Sequence, residues 1–220
     1  MAQIREFPLP TPSINPSYGI TAMNEEDRHH LVPKLRRIVK TAKQLNKLEA
    51  ANIYKGAALL FRENLAPQEL LTLDWVSKSH EWMYKDVWQW AGQIRNRDLD
   101  MPISASLGYM VRQEIKDMLD DALTQIEYSS YPEEEICVRL HHRMVKTHCF
   151  INGNGRHSRI FVNKLAGSIG LADDTFDWGQ NLIRSKTEAR AKELYIESLR
   201  IADDTGDYEP LIKVALGDLS

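Results

Sequence analysis

From residue 25 onward, apolar positions return every three or four residues, and the stretches in which they do so predict helices. Acidic Glu25, Glu26 and Asp27 lead into Leu31, Val32, Leu35 and Ile38, a first helix with acids at its positive end. Leu48, Ala51, Ile53, Ala57, Ala58, Leu60 and Phe61 form the broad face of a second, which stops before Asn64 and Pro67. Two more follow over residues 67–90, one through Leu70, Leu71, Leu73 and Val76, the other through Trp82, Val87, Trp88 and Trp90. Four of the five tryptophans lie here, and at helical spacing they read as core. The period breaks between Ala91 and Gly108, where Gly92, Pro102 and alternation around Leu99, Asp100 and Met101 predict a loop or small hairpin.

Helical spacing resumes over 109–126 and 132–147. Pro132 suits the first turn of the latter helix, and Glu133 to Glu135 suit its positive end. Ile136, Leu140 and Met144 share one face, and His148 is the next step in that four-residue series. A turn at Asn152-Gly153-Asn154-Gly155 intervenes before Ile160, Phe161, Leu165 and Ile169 restart the period, and two last helices run around Leu194–Ile201 and Leu211–Leu216. No fixed-period repeat is visible. The pattern predicts an all-α architecture of seven or eight helices with one small β-hairpin. Length argues for a single domain over residues 21–220, with the proline-bearing residues 1–20 as an extended arm.

Composition narrows the partners. At 43% hydrophobic and 27% charged the chain is an ordinary folded protein, and its net charge of −3 gives no overall field to hold nucleic acid or an acidic membrane. Residues 1–20 hold four prolines and no apolar run, so they suit neither a membrane span nor a signal peptide. Cys137 and Cys149 make no disulfide framework, which fits a reducing, cytoplasmic setting. The same two cysteines with His141, His142 and His148 lack the paired short spacing of a zinc site. His29-His30 and His141-His142 read as solvated helix positions, and the basic run Lys34, Arg36, Arg37, Lys40, Lys43 as a solvated helix face.

Candidate chemistry gathers in residues 148–159. A helix restarting near Gly155 presents amides without helical partners, and glycines let a phosphate approach the backbone, so Gly153, Asn154 and Gly155 form a candidate phosphate cradle. Arg156 and Arg159, three apart, share one helix face and suit adjacent phosphates. His148, across the turn, is placed to accept a proton from an incoming hydroxyl. The glycines do not continue into a dinucleotide fingerprint, since Ser158 stands in the third glycine's place and no strand precedes.

This segment resembles the Fic family signature, His-x-Phe-x-(Asp or Glu)-Gly-Asn-Gly-Arg-x-x-Arg, at seven of eight specified positions; the eighth is Asn152. The resemblance implies an all-helical Fic fold and transfer of AMP from ATP to a Ser, Thr or Tyr hydroxyl of a target protein. It implies His148 as general base, Phe150 as a core residue, Gly153 to Gly155 as the anion hole, and Arg156 and Arg159 on the β- and γ-phosphates. Asn152 stands where the family has the acid that binds Mg²⁺; an amide oxygen brings no negative charge, so metal affinity falls. That asparagine also resembles the subgroup called mobile mystery protein B, from about Thr21 to the C-terminus. The competing readings are a nucleotide-binding protein that only senses or scaffolds, and an interaction partner of a DNA-binding protein.

Two further positions follow from the resemblance. Many Fic proteins carry Ser/Thr-x-x-x-Glu-Gly/Asn, whose glutamate pairs with the second signature arginine and inhibits. Glu49 is the nearest match, with Leu45 and Ala50 in place of the flanking residues, so it reads either as that inhibitor, paired with Arg159, or as an ordinary surface glutamate. The loop from Arg95 to Ser104 corresponds to the family's target-docking flap, or to a surface hairpin without a partner.

Overall fold

The computed structural model describes residues 25–98, 106–180 and 187–218. Ten helices form among them: α1 (Glu25–His30), α2 (Pro33–Arg36), α3 (Ala42–Arg62), α4 (Pro67–Leu70), α5 (Leu73–Tyr84), α6 (Val111–Glu127), α7 (Glu133–Thr147), α8 (Asn154–Ser168), α9 (Glu188–Thr205) and α10 (Glu209–Leu216). The architecture is all-α, and the count exceeds seven or eight because α1, α2 and α4 are pieces of only four to six residues. The expected hairpin falls largely on residues 99–105, outside the described residues, as does the expected arm over 1–20. Among the described residues the β pairing is one isolated antiparallel bridge, Leu31 to Trp88.

That bridge explains two departures from the sequence reading. The first helix is broken in two because Pro33 disfavours helical backbone at Val32, which is extended (φ −56°, ψ 141°) and donates its N–H to Val87 C=O at 2.9 Å. The aromatic stretch Trp82–Trp90 is likewise no single helix: α5 ends at Tyr84, and the chain turns so that Trp88 meets Leu31. Helix α3 begins six residues ahead of the apolar run because Thr41 and Gln44 form a reciprocal cap, each side chain accepting from the other's backbone N–H at 3.2 Å. Pro132 is the N-cap of α7 rather than its first-turn residue.

Helix α3 lies against α5 through Gly56, where a Cβ would come within 2.5 Å of the Trp82 and Met83 backbone. Helix α7 runs between α6 and α8, α8 also touches α3, α4 and α5, and the α9–α10 pair covers α7. One continuous core of Leu45, Leu60, Met83, Ile115, Leu140, Phe150, Phe161 and Leu165, with Trp88 and Trp90, joins these layers. The covering of α7 corrects another reading: His141 and His142 are buried, His141 against Trp178 (ring centroids 4.3 Å) and hydrogen-bonded to the Tyr195 hydroxyl at 2.9 Å. His29, His30 and most of the basic run from Lys34 to Lys43 are exposed. No helix among the described residues is long and apolar enough to cross a membrane.

Candidate functional site

The site is built at the junction of α7 and α8. Helix α7 closes at His148, whose left-handed backbone (φ 53°, ψ 63°) ends the helix while its N–H still bonds Met144 C=O at 3.2 Å. A non-glycine residue holds that conformation only when its surroundings enforce it. Arg95 does so here: it donates from Nε to His148 C=O (2.5 Å) and from Nη2 to Thr147 C=O (2.8 Å), satisfying carbonyls that a helix end leaves open and setting a cation at its negative pole. The same guanidinium reaches Arg97 C=O (2.9 Å) and Ser106 C=O (2.5 Å), so it also ties together the two flanks of the 99–105 segment. The sequence placed Arg95 at the start of the candidate flap but gave no sign that it closes α7.

Burial, with the Arg95 charge adding to it, pushes the His148 imidazole down to about 4, against a backbone hydrogen bond at Val145 that acts the other way. His148 is therefore neutral near pH 7. The ring nitrogen bonded to Val145 carries the proton, and the other is a ready acceptor. Cys149 beside it is fully buried, and that burial pushes its thiol up to about 12, so it offers no thiolate nucleophile.

The turn that follows is held from behind. Asn154 bridges Phe150 in both directions, accepting from its N–H (2.9 Å) and donating to its C=O (2.8 Å). The Asn154 side chain thus fixes the loop, and only its backbone is presented at the helix start. Phe150 is buried and stacks on His80 (centroids 3.6 Å apart, 9° between planes). His80 accepts from Gly92 N–H at Nδ1 (3.0 Å), which leaves Nε2 to donate to Asn152 C=O at 3.1 Å. Burial first, then the nearby His157, holds His80 well below the usual histidine range, in keeping with that neutral tautomer. His157 is itself pushed down to about 3 by burial and pairs with Ser79 at 2.7 Å. Neither histidine stood out in the sequence: His80 lies far from the signature, and His157 fills one of its unspecified positions. Phe150, by contrast, was expected to be buried.

Gly153 is the residue before α8 (φ +80°), and a Cβ there would lie 2.5 Å from the Tyr84 hydroxyl. From Asn154 onward the helix opens with amides that have no carbonyl inside it to bond. The Gly153 N–H is taken by Asn152 Oδ1 at 2.6 Å. Arg156 and Arg159 are both buried. Arg156 lies over the Tyr84 ring (5.5 Å) and pairs with Glu49 at 3.1 Å, and Arg159 lies over the Tyr195 ring (4.8 Å). Glu49 is 1% exposed, and its other oxygen accepts from Trp88 Nε1 at 2.6 Å. The surface reading of Glu49 is thereby corrected: α3 turns it inward, where it pairs with the first signature arginine.

These parts line one cleft of about 220 Å³. His148 and Val145 come from α7, Asn152 to Arg156 and Arg159 from the turn and α8, and Lys192, Tyr195, Ile196 and Leu199 from α9. The α9 set falls at i, i+3, i+4 and i+7, one helix face, giving the cleft an apolar wall with a lysine at its edge. Sequence periodicity pointed to a helix here but not to this face. One cleft thus gathers a neutral imidazole, the turn before α8, two arginines and an apolar wall, a set that suits attack by a hydroxyl on a phosphate ester.

Residues 70–166 match the Fic/DOC family. No curated protein matches the sequence. Among solved structures, the chain is similar to the BepC protein of Bartonella tribocorum, a VirB-translocated effector with bound AMPPNP, at 17% identity and a TM-score of 0.60, covering 80% of this chain and 86% of that one. It is also similar to the N-terminal Fic domain of a putative cell filamentation protein from Bartonella quintana with bound ADP (17% identity, TM-score 0.62, 82% and 86% covered). A Fic family protein from Desulfovibrio desulfuricans G20 aligns at 16% identity and a TM-score of 0.57, with 84% of this chain and 58% of that one covered. The chain thus has the fold of Fic-domain proteins and carries, in residues 70–166, a segment that matches the Fic/DOC family.

Proposed function

We propose that this chain is a protein nucleotidyltransferase of the Fic/DOC type, transferring AMP from ATP to a Ser, Thr or Tyr hydroxyl of a target protein. One observation supports the reading: neutral His148 lines the same cleft as Gly153, Asn154, Gly155, Arg156 and Arg159. The target hydroxyl gives its proton to the acceptor nitrogen of His148 as its oxygen bonds the α-phosphorus. The bond from that phosphorus to the β-phosphate bridging oxygen breaks, and pyrophosphate leaves against the arginines and the α8 amides. The proton then passes from His148 to solvent. The AMPPNP and ADP bound to the two Bartonella relatives support a nucleotide as the ligand.

The family's Mg²⁺ fits poorly here, because Asn152 supplies a neutral amide whose oxygen already accepts from Gly153 N–H. That contact also favours a second reading, a protein that binds nucleotide without transferring it, since the amide it occupies belongs to the cradle. A labelled-nucleotide assay on wild type, His148→Ala and Asn152→Asp separates the two. Label on target protein from wild type, lost in His148→Ala, supports transfer; label from Asn152→Asp alone supports binding without turnover. Membership of the mobile mystery protein B subgroup, and with it a DNA-binding partner protein, belongs to the same proposal and is tested by co-purification of a DNA-binding protein with the chain.

A further inference from the structure

We infer that the cleft takes its nucleotide as the metal-free anion, with Lys192 joining Arg156 and Arg159 to supply the positive charge that a divalent cation would otherwise bring. The inference rests on the nucleotide-binding reading above and deepens it. Among the described residues no carboxylate lines the cleft, whereas three side-chain cations do. A magnesium ion held by a protein leans on one or two carboxylates together with the phosphates. The acid behind the cradle, Glu49, is committed elsewhere: one oxygen is bonded to Arg156, the other to Trp88, and the residue is buried. Among the described residues no cluster of His, Cys, Asp and Glu is arranged to hold a metal ion.

The charge balance points the same way. Among the described residues the charged side chains lining the cleft are three cations and no carboxylate, an excess of positive charge to which the start of α8 adds. A nucleotide that arrives with its charge already masked by a divalent ion meets that excess with less attraction than the bare polyphosphate does. Lys192 is exposed on α9, one turn before Ile196 on the cleft face, whereas Arg156 and Arg159 line the same cleft from buried positions. Its exposure also means that its removal leaves the core intact.

Calorimetric titration of the full chain with ATP, in EDTA and in excess Mg²⁺, is the test. The expected result is binding in EDTA at least as tight as in Mg²⁺. Lys192→Gln, with an unchanged melting temperature, should weaken binding in EDTA by about tenfold, the worth of one charge-assisted hydrogen bond. Asn152→Asp should reverse the preference, weakening binding in EDTA and recovering it with Mg²⁺. Wild-type binding tightened tenfold or more by Mg²⁺, or left unaltered by Lys192→Gln, overturns the inference and leaves nucleotide binding standing. A cooperatively folded wild type that binds ATP in neither buffer overturns the underlying reading, and this inference with it.

Discussion

Gly153 sits at φ +80° with the Tyr84 ring behind it, whereas a Cβ at Gly155 would meet nothing closer than Arg159 Nη2 at 3.8 Å. Gly153→Ala therefore has to strain the backbone and move a buried ring, at a cost of about 1–3 kcal/mol. Gly155→Ala, inside a helix turn, should leave stability unchanged or slightly raised. Urea unfolding of the two variants checks this, and equal midpoints would show that the two glycines are interchangeable. Glu49 is paired with the first signature arginine, Arg156. As the buried partner of Arg156 and Trp88 it holds the cradle in place, so Glu49→Ala should cost about 3–5 kcal/mol by leaving a buried guanidinium uncompensated, and should lower transfer. Higher labelling from that variant would show that the carboxylate restrains the site instead. The signature residues were legible because their types and spacing name a chemistry. Glu49's burial was not, since one glutamate on a helix looks the same whichever way α3 is turned.

Helix α7 owes its ending to a residue far earlier in the chain. Arg95 draws together the Thr147 and His148 carbonyls, the Ser106 carbonyl and, through its own N–H, the Cys149 carbonyl at 3.0 Å. Arg95→Ala should lose two or more buried hydrogen bonds from a charged donor, each worth about 1.5–3 kcal/mol, and should lower the melting temperature and the transfer rate together. Arg95→Lys should recover little of either, since an ammonium lacks the fork that spans these acceptors. Full rescue by lysine would mean that charge alone closes the helix. At this scale the sequence was a fair guide where apolar period and length agreed, as in α6, α7 and α8. It failed where tertiary pairing overrode period: Trp88 leaves the α5 pattern to bridge Leu31 and meet Glu49, and Pro33 divides the first helix. The start of α3 was readable from Thr41 and Gln44, a capping pair that the apolar run alone did not reveal.

Across the whole molecule, the buried histidines are held neutral. Burial keeps His80 and His141 well below the usual range, His148 is pushed down to about 4, and His157 to about 3. In the unfolded chain these groups titrate near about 6.5, so between that value and their folded values the unfolded state binds more protons. Their contribution to stability is present above about pH 6.5 and is lost as pH falls toward 4. Melting temperature should drop steadily through that window, and a flat profile from about pH 7 to 4.5 would contradict the burial of these rings. The same link governs the site. A nucleotide bound beside His148, as proposed, would raise its affinity for a proton through its negative charge and make the imidazole a better acceptor. The all-α fold and the turn between α7 and α8 were visible in the chain, but the α9 wall was not, because nothing in its spacing tells which helix face meets α8. The central claim, that His148 moves the proton in a transfer for which the cleft holds the nucleotide, is tested most directly by pairing ATP titration with a labelling assay on wild type and His148→Ala. Unchanged ATP affinity with labelling of target protein abolished in His148→Ala is the predicted result; labelling that survives the substitution would contradict it.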